Sequence, residues 1–313
     1  MPKISLIVPC FNEELTLEIF YNAVEKVFSQ HATTFKNITH EYRFIDDGSS
    51  DQTLVELKKL QTQHPDTVHY LSFSRNFGKE AGLAAGLQHA DGDYIAVMDV
   101  DLQDPPELLP KMLTTLQQGN YDCVGTMRSD RRGEPAIRSF FSRAFYSIIN
   151  KISKVQIIPN ARDYRLMTRQ MVDAILELPE YNRFSKGIFN WVGFKTTYLT
   201  FENAPRSAGE SHWSFWQLLN YSIEAIVDFS EVPLKIATFI GGLFAFLSVV
   251  GIIFIIIRKL IWGNSVGGWA SLVSIMLFIG GIQLFCLGII GNYIGKIYLE
   301  SKHRPLYIVK EQK

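Results

Sequence analysis

The amino-acid sequence predicts an α/β domain, with a parallel sheet covered by helices on both faces, followed by a membrane domain of two helices. Strand and helix signals alternate over residues 1 to about 126, which is typical of such a sheet. Two long uncharged stretches lie in the last third of the 313-residue chain. The hydrophobic content of 47% and the mean hydropathy of +0.06 are high for a soluble enzyme, and the excess lies in this last third. The length allows about two units of ordinary size.

The elements of the first domain follow one another in regular order. Short apolar runs predict five strands, at Ile4–Val8, Tyr42–Ile45, Val68–Phe73, Tyr94–Met98 and Cys123–Gly125. Apolar residues at helical spacing predict four helices between them, at Leu15–Phe28, Thr53–Gln63, Glu80–His89 and Pro106–Gln117. Residues from about 127 to 234 are less regular and connect this sheet to the membrane domain.

Two uncharged stretches predict the membrane-spanning helices. The first covers about residues 236–257 and the second about 267–295. At about 1.5 Å per residue, each is long enough to cross a hydrocarbon core of about 30 Å. A pair of buried core helices is the alternative, but helices of soluble proteins are rarely apolar on all sides over this length.

The distribution of charge predicts the orientation of the chain. Basic residues follow the second span, at Lys296, Lys302, Arg304, Lys310 and Lys313, and they favour a cytoplasmic C-terminus. Arg258 and Lys259 on the turn between the spans weaken this signal. Because Met1-Pro2-Lys3 leads directly into a strand rather than a signal peptide, we expect the first domain in the cytoplasm, on a multi-pass protein of the inner membrane.

Polar residues follow the predicted strands at the edge of the sheet where ligands bind in folds of this kind. They are Asn12 and Glu13, Asp46 and Asp47, Arg75 and Asn76, and Asp99 and Asp101. Alternate residues of an extended segment project the same way, so Asp99 and Asp101 can share one Mg²⁺ or Mn²⁺ ion with a diphosphate. A solvated turn with a helix cap is the alternative for this pair.

Several classes of function are disfavoured. Lys+Arg and Asp+Glu are balanced at 31 each, which argues against a nucleic-acid partner. The patterns of a P-loop and of a dinucleotide fingerprint are absent, although Gly78 and Lys79 are adjacent. The three cysteines are too far apart in sequence to indicate a metal site.

Three motifs together resemble glycosyltransferase family 2. They are Val8-Pro9-Cys10-Phe11-Asn12-Glu13-Glu14, Asp46-Asp47-Gly48-Ser49-Ser50-Asp51 and Asp99-Val100-Asp101-Leu102-Gln103-Asp104-Pro105-Pro106. The segment Arg75-Asn76-Phe77-Gly78-Lys79-Glu80-Ala81-Gly82 and the two spans narrow the resemblance to the polyisoprenyl-phosphate branch, which includes bactoprenol glucosyltransferases. The resemblance implies a GT-A (Rossmann-like) fold and metal-dependent transfer that inverts the sugar's anomeric centre.

The resemblance also implies roles for individual residues. Asp101 and Asp163 would be catalytic. The nucleotide-sugar would be bound by Pro9, Asn12, Glu13, Asp46, Asp47, Lys79, Asp99 and Arg206. The metal ion, Mg²⁺ or Mn²⁺, would be held by Asp99, Asp101 and Gln103. The acceptor phosphate would be bound by Arg128, Arg138 and Ser142.

The expected reaction is transfer of a single sugar to undecaprenyl phosphate at the lipid bilayer, with UDP-glucose as the donor that the resemblance favours. Galactose, N-acetylhexosamine, aminoarabinose and GDP-mannose stay open as alternatives. The expected domains are 1–210 (GT-A), 211–234 (amphipathic juxtamembrane helices) and 235–313 (two spans with a short cytoplasmic tail). A processive polysaccharide synthase and a non-catalytic sugar-nucleotide-binding subunit are the alternatives. The sequence leaves a homo-oligomer open.

Overall fold

The computed structural model describes residues 1–129, 150–151, 158–202, 227, 230–262 and 268–313. Its strands are β1 Lys3–Cys10, β2 Thr39–Asp46, β3 Val68–Phe73, β4 Tyr94–Val97, β5 Cys123–Arg128, β6 Ala161–Thr168, β7 Thr196–Phe201 and β8 Val309–Gln312. Its helices are α1 Leu17–Gln30, α2 Thr53–Gln63, α3 Lys79–His89, α4 Leu109–Gln117, α5 Arg169–Leu176, α6 Ser185–Trp191, α7 Val232–Trp262 and α8 Trp269–Ser301, with a 3₁₀ turn at Pro106–Leu108.

The described strands form one mixed sheet in the order β7-β5-β6-β4-β1-β2-β3-β8. The predicted parallel arrangement holds for its centre, where β4, β1, β2 and β3 run in the same direction. Strand β6 runs antiparallel to both β4 and β5, and β8 runs antiparallel to β3. All five predicted strands are confirmed, and β5 extends to Arg128 because it pairs with β7 along its whole length.

Helices cover both faces of the sheet, as the alternation of strands and helices predicted. Phe20 of α1 and Leu113 of α4 pack in a large core with Phe44 of β2. On the opposite face, Leu83 of α3 packs in a second core with Ile7 of β1. The two layers of helices leave the carboxyl ends of β1, β2 and β4 open at one edge.

Helices α7 and α8 agree with the two predicted spans. Among the described residues, Val232–Arg258 and Ser271–Ser301 are long and apolar enough to cross a membrane, with mean hydropathies of 2.8 and 2.4. The most apolar part of each helix is not buried by the described residues, whereas core helices of a soluble protein are mostly buried. The two helices contact each other through the rings of Phe244 and Phe278, whose centroids are 5.7 Å apart.

The segment after α8 returns to the first domain. Strand β8 pairs with β3, and the ring of Tyr307 stacks on Phe73 with centroids 4.9 Å apart. The cytoplasmic tail predicted within the 235–313 domain therefore contributes the last strand of the sheet. Because of this strand, the C-terminal end of α8 and the α/β domain lie on the same side of any membrane that the two helices span.

Candidate active site

A cleft of about 300 Å³ lies at the carboxyl ends of β1, β2 and β4. Six of the predicted site residues line it, namely Pro9, Glu13, Asp47, Lys79, Asp99 and Asp101. Its other lining residues include Asn76, Gly78 and Gly82. A second cavity of about 320 Å³ lies beside β2, β3 and β8, and none of the predicted site residues lines it.

The two acids at the end of β2 differ in their surroundings. Asp46 is buried, and its two carboxylate oxygens accept hydrogen bonds from the Ser49 amide (3.0 Å) and the Ser72 hydroxyl (2.7 Å). Asp47 accepts from the backbone amides of Phe77 (2.6 Å) and Gly78 (2.9 Å) while lining the cleft. Burial raises the pKa of Asp47 despite these bonds. The structure thus gives Asp46 a role in holding the loop and leaves Asp47 as the acid that borders the cleft.

Asn12 also holds the loop after β2. Its backbone amide donates to the Ser49 hydroxyl and its side-chain oxygen accepts from the Ser50 amide, both at 2.9 Å. In the same loop Gly48 has a φ of +67°, and a Cβ there would lie 2.4 Å from the carbonyl carbon of Arg75. Asn12 is not among the residues that line the cleft, so any contact with the nucleotide stays a prediction.

Lys79 joins the two sides of the site. Its Nζ donates to Asp99 Oδ1 and to Asp163 Oδ2, both at 2.7 Å. Burial alone would raise the pKa of Asp163, but Lys79 and Lys186 hold it well below its usual range. Burial likewise opposes the charge on Lys79, yet Asp163 and Asp99 raise its pKa above the ordinary value. Lys79 and Asp163 therefore stay ionised through the physiological pH range.

Two arginines lie next to these acids. Arg128 Nη2 donates to Gln103 Oε1 at 3.0 Å, and Arg162 Nη2 approaches the same oxygen at 3.4 Å. Arg162 Nε donates to buried Asp104 Oδ1 at 2.7 Å, and its Nη2 lies 3.8 Å from Asp99 Oδ2. The fold thus brings Arg128, predicted to bind the acceptor phosphate, against Gln103, predicted to bind the metal ion.

The comparisons with known proteins agree with this geometry. The sequence model described as glycosyl transferase family 2 matches residues 5–176, and that described as the GtrB C-terminal hairpin matches residues 232–297. The chain belongs to glycosyl transferase family 2. The first match spans the α/β domain as far as the end of α5, and the second spans α7 and most of α8, so the GT-A-like fold and the C-terminal hairpin are both confirmed.

Relatives in family 2 match almost the full length of the chain. The bactoprenol glucosyl transferase of Shigella phage SfV is 44% identical over 99% of this chain and 99% of that protein. A prophage bactoprenol glucosyl transferase homolog of Escherichia coli is 43% identical with the same coverage. An uncharacterized glycosyltransferase of Synechocystis is 40% identical over 99% of this chain and 95% of that protein.

The family 2 cleft has the ligand types that a divalent ion needs. Asp99 and Asp101 offer hard carboxylate oxygens, and the Lys79 ammonium shows that Asp99 accepts a cation on its cleft side. The described residues contain no group of three His, Cys, Asp or Glu that would enclose an ion. The residues therefore fit an open Mg²⁺ or Mn²⁺ site whose remaining ligands come from a bound diphosphate. Gln103 is less available, because its side-chain oxygen already accepts from two guanidinium groups.

Several predicted elements lie outside the described residues. Arg138 and Ser142, predicted to bind the acceptor phosphate, belong to this set, and so does Arg206. The predicted juxtamembrane segment 211–234 is described only at 227 and 230–234. Their roles stay predictions.

Arg162 was missed when site residues were assigned from the sequence. Its position beside Asp163 in the Asn160–Met167 segment was the available signal. An arginine next to an acid on a polar strand is common, however, and only the pairing of β6 with β4 carries Arg162 towards Asp99. Burial opposes its charge, and Asp104 and Asp99 together raise the pKa of Arg162.

Proposed function

We propose that this family 2 protein transfers glucose from UDP-glucose to a polyprenyl phosphate, with inversion at the anomeric carbon. The observation that carries the proposal is a cleft lined by Asp99 and Asp101, in a chain that also has two candidate membrane spans. Asp163 contacts the cleft residue Lys79, Arg162 lies 3.8 Å from Asp99, and Arg128 donates to Gln103. The names of the relatives in Shigella phage SfV and E. coli support glucose as the sugar and bactoprenol as the lipid.

The donor side of the reaction uses the cleft at the ends of β1 and β2. Pro9, Glu13 and Asp47 border the space in which the uracil and ribose would lie. Asp47 is held by two backbone amides, so its carboxylate is fixed before the nucleotide arrives. Because the Asp47 carboxylate is already fixed, it loses little conformational freedom when it accepts hydrogen bonds from the nucleotide, which favours affinity.

The acceptor side uses the arginines. Arg128 and Arg162 carry permanent positive charge and suit a phosphate monoester, which guanidinium groups bind through paired N–H donors. A phosphate of this kind loses its second proton near pH 6. It is already a nucleophile at neutral pH, so Asp163 acts by orienting Lys79 and the acceptor rather than by removing a proton.

The chemistry is a single displacement. A phosphate oxygen of the lipid forms a bond to the anomeric carbon of glucose as the bond from that carbon to the β-phosphate of UDP breaks. The electron pair of the broken bond leaves with UDP, and attack from the opposite face inverts the configuration. A divalent ion held by Asp99 and Asp101 would offset the charge that develops on the diphosphate. We propose that the α/β domain faces the cytoplasm, where nucleotide-sugars are made.

The proposal is tested with the full-length chain purified in detergent. The protein is incubated with undecaprenyl phosphate, Mg²⁺ or Mn²⁺ and a panel of nucleotide-sugars, and both released nucleotide and glycolipid are measured. We expect UDP release that matches the formation of a lipid-linked single glucose. A polymer product would indicate a processive synthase, and absence of transfer with every donor from folded protein would reject the proposal.

Replacement of Asp101, which is predicted to bind the metal ion, gives a more specific test. Asp101→Ala should lower turnover by about 10²–10³-fold or more, since charge stabilisation of the leaving group is lost. Asp173→Ala is the matched control, because Asp173 is an exposed acid that pairs with Arg169 on the surface of α5. Near-normal turnover of the Asp101 variant would reject the metal assignment.

A further inference from the structure

The last turn of the second candidate span carries an acid that binds the α/β domain. Glu300 accepts hydrogen bonds from the backbone amides of Tyr181 and Asn182, both at 3.0 Å to Oε1, and from Asn182 Nδ2 at 3.2 Å. A carboxylate in the last turn of a helix is disfavoured by the helix dipole. The three N–H donors at residues 181–182 offset this unfavourable interaction with the helix dipole. Glu300 therefore forms a specific contact between α8 and the α/β domain.

The loop that Glu300 holds leads to the active site in a short series of contacts. It runs directly into α6, where the backbone amide of Ser185 donates to Glu80 Oε2 at 2.9 Å and its hydroxyl donates to the same oxygen. Glu80 is the neighbour of Lys79 in the first turn of α3. Lys79 in turn donates to Asp99 and Asp163, so this series of hydrogen bonds and short stretches of chain connects α8 to the acids of the active site.

The other end of α3 is held by the same part of the chain. The hydroxyl of Tyr307 donates to Gln88 Oε1 at 2.7 Å, and the Tyr307 ring stacks on Phe73 of β3. Gln88 lies in the last turn of α3. Residues 300–312 therefore reach α3 at both ends, through the 181–185 loop at its start and through Tyr307 at its finish.

We propose that Glu300 is a positioning residue, which ties the end of the second membrane span to the loop that sets Lys79 in the active site. Lys79 is placed correctly only when α8 is docked on the domain. The expected effect on kcat rests on the proposed function, whereas the expected effect on amide hydrogen exchange does not. It goes beyond the reaction itself, because it makes the membrane hairpin part of the catalytic machinery as well as an anchor.

The experiment uses full-length protein with Glu300→Ala and Glu300→Gln. All three donors reach Oε1, and the Tyr181 amide also lies 3.1 Å from Oε2. Glutamine therefore retains the Oε1 acceptor that alanine removes and loses only the contact to Oε2. We expect Glu300→Ala to speed amide hydrogen exchange at least tenfold at Tyr181, Asn182 and the first turn of α3. Its kcat should fall about tenfold and the KM for UDP-glucose should rise, because Lys79 is also predicted to bind the donor, and Glu300→Gln should regain most of the kcat.

The matched control is Glu231→Ala. Glu231 lies before the first span, is exposed, and pairs with Lys235 at 3.5 Å. It should change neither exchange in the 181–185 loop nor kcat.

Each outcome decides the proposal. Faster exchange at 181–182 with an unchanged kcat would overturn it, and so would unchanged exchange. If Glu300→Ala does not fold, Glu300→Gln becomes the deciding variant. The proposal is then overturned if Glu300→Gln does not have nearly the wild-type exchange and kcat. If the wild-type protein transfers no sugar, the proposed function fails separately. In that case, amide hydrogen exchange alone decides the positioning role. If Glu300→Ala speeds exchange only at residues 181–182, the role is overturned. If exchange is also faster at Lys79 and Ala81, the role is supported.

Discussion

Replacement of Lys79 by methionine tests the electrostatics of the active site. The lysine ammonium neutralises Asp99 and Asp163, each at 2.7 Å, and its side chain is 45% exposed against 22% and 19% for the two acids. Methionine keeps most of the side chain's volume and removes the charge. Two carboxylates would then face each other without a cation between them, and we expect the folded protein to lose stability.

The size of this stability loss depends on how far Lys79, Asp99 and Asp163 are buried. An exposed ion pair contributes about 0–1 kcal/mol, whereas breaking a buried one costs about 3–5 kcal/mol. The three side chains lie between these limits, so we expect Lys79→Met to cost about 1–2 kcal/mol without a divalent ion. For a domain of this size that corresponds to a fall in Tm of roughly 2–8 °C.

A divalent ion should reverse the loss. Without Lys79, Oδ1 of Asp99 no longer accepts from an ammonium and can bind Mn²⁺. A tenfold lower Kd would give about 1.4 kcal/mol more stabilisation at saturating ion. The assay is thermal unfolding of the full-length protein, with UDP present, as Mn²⁺ is titrated. Lys59→Met is the matched control, because Lys59 pairs with Glu56 on the exposed surface of α2. If Lys79→Met were as stable as wild type and showed the same Mn²⁺ response, Lys79 would not neutralise these acids.

Two further predictions concern packing and pH. Gly86→Ala should destabilise the protein by about 2–3 kcal/mol in denaturant unfolding, because the new Cβ would lie 2.1 Å from Ile7 Cγ2. The hydrogen bond between Glu25 and His40, at 2.7 Å, lowers the pKa of Glu25 below its model-peptide value of about 4.3. A depressed carboxyl pKa stabilises the fold above that value and loses the effect as the pH falls through the folded-state pKa. Glu25→Gln should therefore cost about 1 kcal/mol at pH 7 and less below pH 4 in unfolding measured against pH.

Each of these predictions has a control on the same helix. Gly82→Ala should be close to neutral in stability, since its Cβ would meet Pro9 Cβ at 3.5 Å, an ordinary contact. Adding Ile7→Ala to Gly86→Ala should cost less than the sum of the single changes, and strict additivity would contradict the proposed clash. For Glu25 the control is Glu18→Gln on the exposed side of α1. An equal loss of stability at pH 7 and at about pH 3 in Glu25→Gln would contradict the assigned cause.

Local pattern was sufficient for the parallel centre of the sheet and for the spans. Strands β1 to β5 are apolar runs and their helices have regular apolar spacing, so each can be recognised without knowledge of its partners. The uncharged length of α7 and α8 is equally local. The strand-end motifs also located the cleft, because parallel strands present their carboxyl ends at one edge.

Local pattern was not sufficient for β6 and β8. Strand β6 includes Arg162, Asp163 and Arg165, and β8 has only four residues, three of them polar, so neither shows the alternation of a typical strand. They are strands because neighbouring strands supply backbone hydrogen-bond partners from distant parts of the chain. Such pairing is a property of the assembled sheet and has no local signature.

The residue types that follow each strand can be recognised in the sequence, and they indicate the family and the chemistry that they suit. The different surroundings of Asp46 and Asp47 become visible only in the folded chain, where Asp46 accepts hydrogen bonds from Ser49 and Ser72 while Asp47 borders the cleft. It alone brought Glu300 to the 181–182 loop, across more than a hundred residues of chain. The physical reason is that composition and spacing fix what a segment can form, whereas the partner of a buried polar group is set by which segments the fold places beside it.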